Sequence, residues 1–347
     1  MTTLSVRNSP LINAAAFVIV VAGMKAASPL VVPFLLAIFL AIICAPPLFW
    51  MQSKGVPAFV GLLFLISLIV GTWIFFVTLI GSSMADFTKN VPNYQASLLE
   101  QTAGLWTWLD AHGVHLDRSL VTDVFNPGKL LSLAANTLNG LGGMITNTFV
   151  IFLTFFFILS EAAGFPTKLM AIQGNDSKAL EKYGEIVKGV NRYLGIKTLT
   201  SLFTGFVVAF GLSLQGVDYA KMWGVVAFLL NFIPNIGSIL AAIPALLLAL
   251  VQFGLGGTAI TGSLYLFVNI VIGSILEPRV MGKGVGLSVL VVFLSLAFWG
   301  WILGPVGMLL SVPLTMTARI ALDGNKEYRW LAILLSSGKE YSRKLGE

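Results

Sequence analysis

Residues 222–253 read MWGVVAFLLNFIPNIGSILAAIPALLLALVQF and contain no charged side chain. A helix needs about 20 mainly apolar residues to cross the hydrocarbon core of a bilayer, so this stretch is long enough for two passes or a hairpin. Because lipid offers no partners for backbone N–H and C=O groups, such a stretch is expected to be helical. Pro234 and Pro244 interrupt it, since proline removes a backbone donor and clashes with the preceding turn. The sequence therefore predicts broken helices inside a membrane.

The whole chain has the same apolar character. Of its 347 residues, 57% are hydrophobic and 10% are charged, whereas soluble domains carry about 25% charged residues. So few charges could not cover the surface of a water-soluble protein, which excludes a soluble globular fold. We therefore predict an all-α integral membrane protein with about eight transmembrane helices. The other candidate spans are residues 11–24, 27–50, 56–82, 140–160, 196–214, 257–276, 285–300 and 301–320.

The two long polar stretches predict the orientation of the chain. Residues 83–138 hold three Lys or Arg against five acids, whereas residues 166–197 hold six against three. Cytoplasmic loops carry the excess of positive charge, so the first stretch is predicted outside and the second inside, with the span 140–160 between them. The tail after Leu322 is also basic. Both termini are therefore predicted to be cytoplasmic.

The polar stretches have helical patterns of their own. Val91, Tyr94 and Leu98 recur at helical spacing in the outer stretch, which predicts an external amphipathic helical insert. The inner stretch predicts a basic amphipathic helix that either binds anionic lipid headgroups or acts as a coupling helix. The predicted regions are N-terminal transmembrane helices (1–82), the external insert (83–138), a transmembrane helix (139–165), the cytoplasmic basic helix (166–197), a C-terminal transport region (198–322) and a cytoplasmic tail (323–347).

No motif for catalysis or for a bound cofactor occurs in the sequence. It has no Gly-x-Ser-x-Gly elbow, no His-Glu-x-x-His pair and no phosphate-binding Gly-Lys-Ser/Thr loop. A single cysteine, Cys44, excludes a disulfide framework. The Lys and Arg residues are spread between apolar runs and do not form the basic stripe that nucleic acid requires. We therefore expect no enzyme activity, no cofactor or metal, and no nucleic-acid partner.

The first broken helix supplies polar groups at membrane depth. Transporters commonly bind substrate at such breaks, which are tolerated where they line a cavity or are buried in protein. Asn231 and Asn235 lie four residues apart, so they would share a face in a continuous helix. The alternative is a proline-kinked hairpin held by hydrogen bonds of Asn side chains between helices. The residues predicted to line a substrate pathway are Asn231, Pro234, Asn235, Gly237, Ser238, Pro244 and Asn269.

The apolar run 257–276 ends in the motif Glu277-Pro-Arg279-Val-Met-Gly282. Ionisable residues at membrane depth are expensive enough to indicate function, so Glu277 and Arg279 are predicted to act in gating or ion coupling. The alternative is a structural ion pair or a lipid anchor at the cytoplasmic interface. Asn269 lies two turns before Glu277, on roughly the same helical face.

A third interrupted stretch, residues 298–313, reads FWGWILGPVGMLLSVP. Its glycines lie at helical spacing, and its prolines break the run. The pattern predicts a hairpin, either spanning or re-entrant, that contributes to gating. The residues assigned to gating here are Gly300, Gly304, Pro305 and Gly307, together with Gly282 of the preceding motif.

Three motifs resemble the autoinducer-2 exporter (AI-2E) family of bacterial permeases. They are Asn-Phe-Ile-Pro-Asn-Ile-Gly-Ser at 231–238, Glu-Pro-Arg-Val-Met-Gly at 277–282 and the stretch 294–314. The resemblance implies transport across the bacterial inner membrane. Members are assigned to export of the quorum-sensing signal autoinducer-2, and others to sodium or lithium/proton antiport; a homo-oligomer is also implied. The family usually has Leu-Ser-Pro where this chain has Leu287-Ser288-Val289.

The leading hypothesis is an exporter of a small polar solute, with autoinducer-2 as the candidate and membrane lipid as its surroundings. Autoinducer-2 is sugar-like, and the Asn and Ser side chains of the first broken helix could hydrogen-bond its hydroxyls. The first alternative is a cation/proton antiporter in which Glu277 alternates between ion and proton, with Arg279 beside it. Few acids lie within the apolar runs, which weighs against antiport. The second alternative is a membrane scaffold that transports nothing.

Overall fold

The computed structural model describes residues 10–111, 148–162, 168, 171, 177–234, 236–281, 286–324 and 328–337. Within them the regular structure is helical, apart from one isolated β-bridge between Leu287 and Ser336. The helices are α1 (Pro10–Ala26), α2 (Ser28–Ser53), α3 (Ala58–Ala111), α4 (Thr148–Ala162), α5 (Ser177–Gln215), α6 (Ala220–Leu230), α7 (Gly237–Val268), a π-helix (Asn269–Leu276), α8 (Glu277–Met281), α9 (Val289–Asp323) and α10 (Arg329–Leu335).

Five helical stretches in the described part of the chain are long and apolar enough to cross a membrane. Large apolar side chains such as those of Leu30, Phe206 and Leu255 are exposed on them, as expected of surfaces that face lipid. The described part of the chain is thus helical and has the character of a multi-pass membrane protein, and the total of eight spans stays a prediction. The five stretches are Ser28–Ser53, Ala58–Asn90, Gly184–Gln215, Gly237–Met281 and Val289–Asp323.

Two helices end in the same glycine motif. At the end of α2, the Val56 N–H donates to the Met51 carbonyl at 3.1 Å, and Gly55 has a φ of 89°. At the end of α5, the Val217 N–H makes the equivalent bond, and Gly216 has a φ of 82°. This arrangement satisfies carbonyls that a helix end leaves free, and glycine takes the left-handed position without a Cβ clash. The chain can therefore turn sharply after each of these spans.

Helix α7 folds back on itself at Gly254. The backbone there has φ 65° and ψ −161°, a conformation essentially restricted to glycine. The Ser238 hydroxyl donates to Asn269 Oδ1 at 3.1 Å, although a straight helix would separate these two residues by about 46 Å. α7 therefore consists of two antiparallel arms, 237–253 and 255–268. The sequence places the boundary between two predicted spans at the same point.

Helix α9 is a second hairpin, folded at Gly304. The backbone there has φ 68° and ψ −151°, close to the conformation of the turn in α7. Trp299 Nε1 donates to Thr315 Oγ1 at 3.0 Å, whereas a straight helix would separate them by about 24 Å. A Cβ at Gly307 would lie 2.0 Å from the Trp299 carbonyl oxygen, so the tight return requires glycine. The hairpin predicted from this stretch is present.

The chain divides into two compact units, and each is described by itself. The first comprises the described residues within Met1–Leu62, Asn147–Asn191 and Gly286–Glu347. In it, α2 packs against α4, and α9 packs against α1, α2 and α10. The Lys25 ammonium at the end of α1 lies 3.8 Å from the centre of the Trp301 ring. This contact stabilises the cation on an aromatic face.

Ser288 begins α9 in the first unit. Its Oγ accepts the Val291 N–H at 3.2 Å, and its backbone is extended, as is typical of a helix N-cap. The Ser288 N–H donates to the Leu335 carbonyl at 3.3 Å, which ties the start of α9 to the end of α10. Val289 takes the first helical position, the one that proline favours. The serine cap and the backbone bond therefore define this helix start without a proline at that position.

The second unit comprises the described residues within Leu63–Thr146 and Arg192–Val285. In it, α3 runs without interruption from its membrane-crossing part into the predicted external insert, as far as Ala111. The remainder of that insert lies outside the described residues. α5 likewise joins the predicted cytoplasmic helix to the following span, so the boundary predicted after Lys197 falls inside one helix. No proline lies within α5.

Candidate functional site

Helix α5 runs antiparallel to the second arm of α7 and to its continuation through the π-helix into α8. Three contacts establish this, because residue numbers rise along one side while they fall along the other. Both sides belong to the second unit and to stretches apolar enough to cross a membrane. We call this contact surface the seam. Its contacts are Lys197 with Glu277, Gly211 with Leu264, and Gln215 with Thr261.

A buried ion pair lies at one end of the seam. Lys197 Nζ donates to both carboxylate oxygens of Glu277, at 2.8 and 2.9 Å. The Lys197 side chain is 5% exposed and the Glu277 side chain 16%. Charges removed from water are tolerated only when they are paired, and ionisable residues at membrane depth usually mark function. This pair is therefore the leading electrostatic feature of the candidate site.

The cation that pairs with Glu277 is not the one that the motif offers. Arg279 is exposed, whereas Lys197 comes from a different helix and was assigned from sequence to the cytoplasmic stretch. The sequence does contain a pattern that indicates the burial of Lys197, although a count of charges along the stretch does not detect it. Tyr193, Lys197, Ser201 and Thr204 recur at intervals of three or four residues, and all four are buried. A polar stripe of this kind on one face of an apolar helix indicates a helix–helix contact.

The residues around the turn between α6 and α7 contact both sides of the seam. Asn231 Nδ2 donates to Ser201 Oγ at 3.0 Å, and the Ser238 hydroxyl donates to Asn269 Oδ1 at 3.1 Å. Pro234 lies in this turn. Helix α6 has 11 residues and is about 17 Å long, too short to cross a hydrocarbon core of about 30 Å. Two hydrogen-bonded pairs of polar side chains therefore flank the point where the helix breaks.

Glycines allow the backbones of α5, α6 and the turn before α7 to lie close together. A Cβ at Gly237 would lie 1.7 Å from the Leu230 carbonyl oxygen, so the turn accepts no larger residue there. A Cβ at Gly205 would lie 2.7 Å from the Gly224 carbonyl oxygen, and one at Gly224 equally close to that of Gly205. Small residues that bring helix backbones together in this way are typical of membrane helix packing. α5 and α6 are thereby held in backbone contact beside the Asn231–Ser201 bond.

The π-helix keeps the polar residues of the second side aligned with α5. A π-turn closes with an i→i+5 bond and holds more residues than an α-turn. Four residues advance slightly more than one turn of an α-helix and slightly less than one turn of a π-helix. The two deviations have opposite sign, so residues spaced by four across the α-helix and the π-helix stay near one face. Pro278, which lacks an N–H, follows directly after that series. The series is Thr261, Tyr265, Asn269, Gly273 and Glu277, and both of its ends contact α5.

A neutral hydrogen-bond cluster lies at the opposite end of the seam from the ion pair. Gln215 Nε2 donates to the Gly257 carbonyl at 2.7 Å, and the Thr261 hydroxyl donates to Gln215 Oε1 at 2.8 Å. Between this cluster and Asn269, the hydroxyl of Tyr265 is buried without a hydrogen-bond partner among the described residues. A buried hydroxyl of this kind requires a further polar group, such as water or a solute.

A separate polar cluster joins α3 to the turn after α5. Tyr94 donates to Asp218 Oδ2 at 2.8 Å, and Asn90 Nδ2 donates to the Tyr219 hydroxyl at 3.0 Å. Tyr94 lies beyond the membrane-crossing part of α3. Burial, followed by hydrogen bonds to Tyr219 and Asp218, raises the pKa of the Tyr94 hydroxyl above its ordinary range. Tyr219 also has a φ of 57°, a strained conformation for a bulky residue.

The other predicted site residues either lie apart from the seam or lie outside the described residues. Asn235 and Gly282 lie outside the described residues. Pro244 is buried within the first arm of α7 and takes no part in the hydrogen bonds around the turn. The remaining predicted gating residues belong to α9 and so to the first unit, whereas the seam belongs to the second. They are Gly300, Gly304, Pro305 and Gly307.

Comparison with known proteins shows the family. The chain matches the AI-2E family transporter over residues 14–325. The "AI-2 transport protein TqsA" of Escherichia coli (strain K12) is 38% identical over 319 residues, covering 92% of this chain and 93% of the relative. A Haemophilus influenzae protein named "Putative transport protein" is 40% identical over 339 residues, covering 95% and 97%. Another from Escherichia coli (strain K12), "Putative transport protein YhhT", is 37% identical over 338 residues, covering 97% and 96%. The chain therefore belongs to the AI-2E family of transporters.

Proposed function

We propose that this protein exports a small, uncharged polar solute across the bacterial inner membrane, and that the solute is autoinducer-2. The observation that carries the proposal is the pair of bonds Asn231–Ser201 and Ser238–Asn269, which join a helix break to two apolar spans. Polar groups at membrane depth are costly, and they commonly mark a substrate pathway. One relative has autoinducer-2 transport in its name, which supports this substrate.

The four polar groups suit a solute that carries hydroxyls. A serine hydroxyl donates and accepts, and an asparagine amide offers two donors and an acceptor. Asn231, Ser238 and Asn269 are partly exposed, so a solute could reach them. A solute hydroxyl could replace one partner of the Ser238–Asn269 bond, and no buried group would then lose its hydrogen bond. The hydroxyl of Tyr265, one turn from Asn269 and without a partner among the described residues, offers a further contact.

The proposal includes a topology and an assembly. Both termini lie in the cytoplasm, because the basic stretch 166–197 and the basic tail after Leu322 favour that side. This orientation places the ion-pair end of the seam toward the cytoplasm and the Gln215 end toward the outside. The exposed apolar side chains face lipid or further copies of the chain in a homo-oligomer. A cysteine introduced near either terminus should be labelled by a membrane-impermeant reagent only after the cells are opened.

Efflux of autoinducer-2 from loaded proteoliposomes tests the proposal. The wild-type protein should accelerate efflux, and Asn269→Ala should slow it about tenfold, the effect of losing roughly 1.4 kcal/mol of hydrogen bonding. Ser263→Ala is the matched control, since this exposed serine on the same arm bonds locally, to the Ala259 carbonyl. Cells that lack or overproduce the protein should differ in extracellular autoinducer-2. Equal efflux with and without the protein would reject export and favour the scaffold.

Sodium or lithium/proton antiport is the second candidate function. The observation that favours it is the carboxylate of Glu277, which follows the π-helix and precedes Pro278 in a stretch apolar enough to cross a membrane. Oxygen ligands of this kind suit hard cations. However, Lys197 occupies both carboxylate oxygens, so a metal ion would have to displace it. Everted vesicles should then show sodium-dependent proton movement that Glu277→Gln abolishes.

A further inference from the structure

The seam holds two opposite charges close to the candidate solute groups. Lys197 precedes Ser201 by one helical turn, about 6 Å along the axis of α5. Glu277 is fixed on Lys197 through both carboxylate oxygens. This separation is shorter than the distance of about 8 Å beyond which physiological salt screens charges, and burial weakens screening further. Ser201 is fully buried, whereas its partner Asn231 is partly exposed. The pair therefore acts electrostatically on an ionic solute that reaches Asn231.

We propose that Lys197 and Glu277 determine the charge selectivity of the pathway, so that neutral solutes pass and ionic ones are rejected. The two charges cancel, so a neutral solute meets no net field. An ionic solute has to give up water, but each charge that could compensate it is already bound to its partner. Arg279 is exposed, so its charge is largely screened by water. This inference rests on the proposed function, because it assumes that the solute groups lie on the transport path.

The two single variants should shift selectivity in opposite directions. Glu277→Gln leaves the Lys197 ammonium without a counter-charge, although the glutamine oxygen still accepts a hydrogen bond. The pathway should then attract anions. Lys197→Met leaves the Glu277 carboxylate unpaired, and the pathway should reject anions more strongly. General damage to the protein would slow the efflux of all solutes together. It would not change selectivity in opposite directions in the two variants.

The experiment measures efflux of autoinducer-2 and of its phosphate monoester from proteoliposomes. Glu277→Gln should raise the ratio of ester to autoinducer-2 efflux at least about tenfold, the effect expected of one uncompensated charge at this range. Lys197→Met should lower that ratio. Asp323→Asn is the matched control, because it removes an equal charge from an exposed pair with Arg329 at 3.6 Å; its ratio should equal that of the wild type.

A variant with exchanged charges keeps the test decisive if the single variants do not fold. Lys197→Glu combined with Glu277→Lys retains both charges and their cancellation, so its ratio should remain that of the wild type. A raised ratio in the exchanged variant, or an unchanged ratio in Glu277→Gln, would overturn the inference. Failure of the wild type to move autoinducer-2 would instead overturn the proposed function, so the two failures are distinguishable.

Discussion

Lys197 on α5 and Glu277 on α8 are joined by two hydrogen bonds of 2.8 and 2.9 Å, although 80 residues separate them in sequence. The pair closes one end of the seam, and the Gln215–Thr261 bond closes the other. A long-range contact between buried charges forms only when both helices reach their final positions. It is therefore a sensitive reporter of whether the second unit is correctly assembled.

Removing one partner of this pair should destabilise the protein strongly. Lys197→Met leaves the largely buried carboxylate of Glu277 without its counter-charge, and breaking a fully buried pair in this way costs about 3–5 kcal/mol. The double variant Lys197→Met with Glu277→Gln removes both charges and should recover much of the loss. Thermal unfolding in detergent, followed by circular dichroism, measures both. A double variant no more stable than Lys197→Met would contradict this account.

Enlarging Gly224 should separate α5 from α6. A Cβ there would lie 2.5 Å from the Ala209 Cβ and 2.7 Å from the Gly205 carbonyl oxygen, so Gly224→Leu forces the backbones apart. Overpacking of this kind costs about 1–3 kcal/mol or more. Gly195→Leu is the control, because a Cβ at Gly195 meets no atom within 4 Å. The melting temperature should fall for the first variant and stay near the wild-type value for the second.

The hairpin turn of α7 should depend on glycine at its tip. Gly254 has φ 65° and ψ −161°, and an alanine forced into such a conformation costs of order 1–3 kcal/mol. Gly256 lies two residues further along, has no positive φ, and has open space around it. Gly254→Ala should therefore lower the unfolding temperature, while Gly256→Ala should not. Equal effects of the two substitutions would show that the turn does not require glycine.

The neutral cluster at the far end of the seam should contribute less than the ion pair. Gln215→Leu removes the bonds to Gly257 and Thr261, but the Thr261 hydroxyl can then turn to the Gly257 carbonyl four residues earlier. The total loss should therefore be about 1–3 kcal/mol. Ser213→Ala is the control, because this exposed serine on the same helix bonds only to the Ala209 carbonyl. Denaturation in detergent should separate the two variants. A loss for Gln215→Leu as large as that for Lys197→Met would contradict the ranking.

Stability at alkaline pH should depend on Tyr94. Its folded pKa is raised, chiefly by burial, whereas an unfolded tyrosine titrates near pH 10. The neutral hydroxyl therefore stabilises the fold fully below about pH 10, and that contribution is lost as the pH rises above it. Tyr94→Phe cannot ionise, so its unfolding temperature should fall less steeply between about pH 10 and 11 than that of the wild type. Parallel curves for the two proteins would exclude this role.

The breaks in the helices could be predicted from sequence because their causes are local. Gly254 lies at the predicted boundary between two spans, Gly304 lies four residues after the predicted boundary at residue 300, and Pro234 lies in the observed turn between α6 and α7. Ser238 and Asn269 were both assigned to the substrate pathway, and the hairpin places them in hydrogen-bond contact. Their role in transport stays a prediction.

The partner of Glu277 could not be predicted in the same way. Lys197 lies next to a basic stretch, and a count of charges assigns it to the cytoplasm. Its burial depends on a contact with a helix 80 residues away, which no local pattern specifies. The same is true of the Gln215–Thr261 bond and of the unpartnered Tyr265 hydroxyl. Only the polar stripe on α5 offered a local signal, and it identifies a contact face without naming the helix that covers it.

The fold-back of α9 has a consequence for topology. Because its arms, 289–303 and 305–323, run antiparallel from the turn at Gly304, Val289 and Asp323 end up on the same side of whatever layer the hairpin enters. The side on which the C-terminal tail emerges is therefore independent of how deep the hairpin reaches. A reporter fused to the tail shows whether the number of membrane crossings before α9 is odd or even. A quencher-sensitive label beside Gly304 measures how deep the turn of the hairpin lies in the membrane.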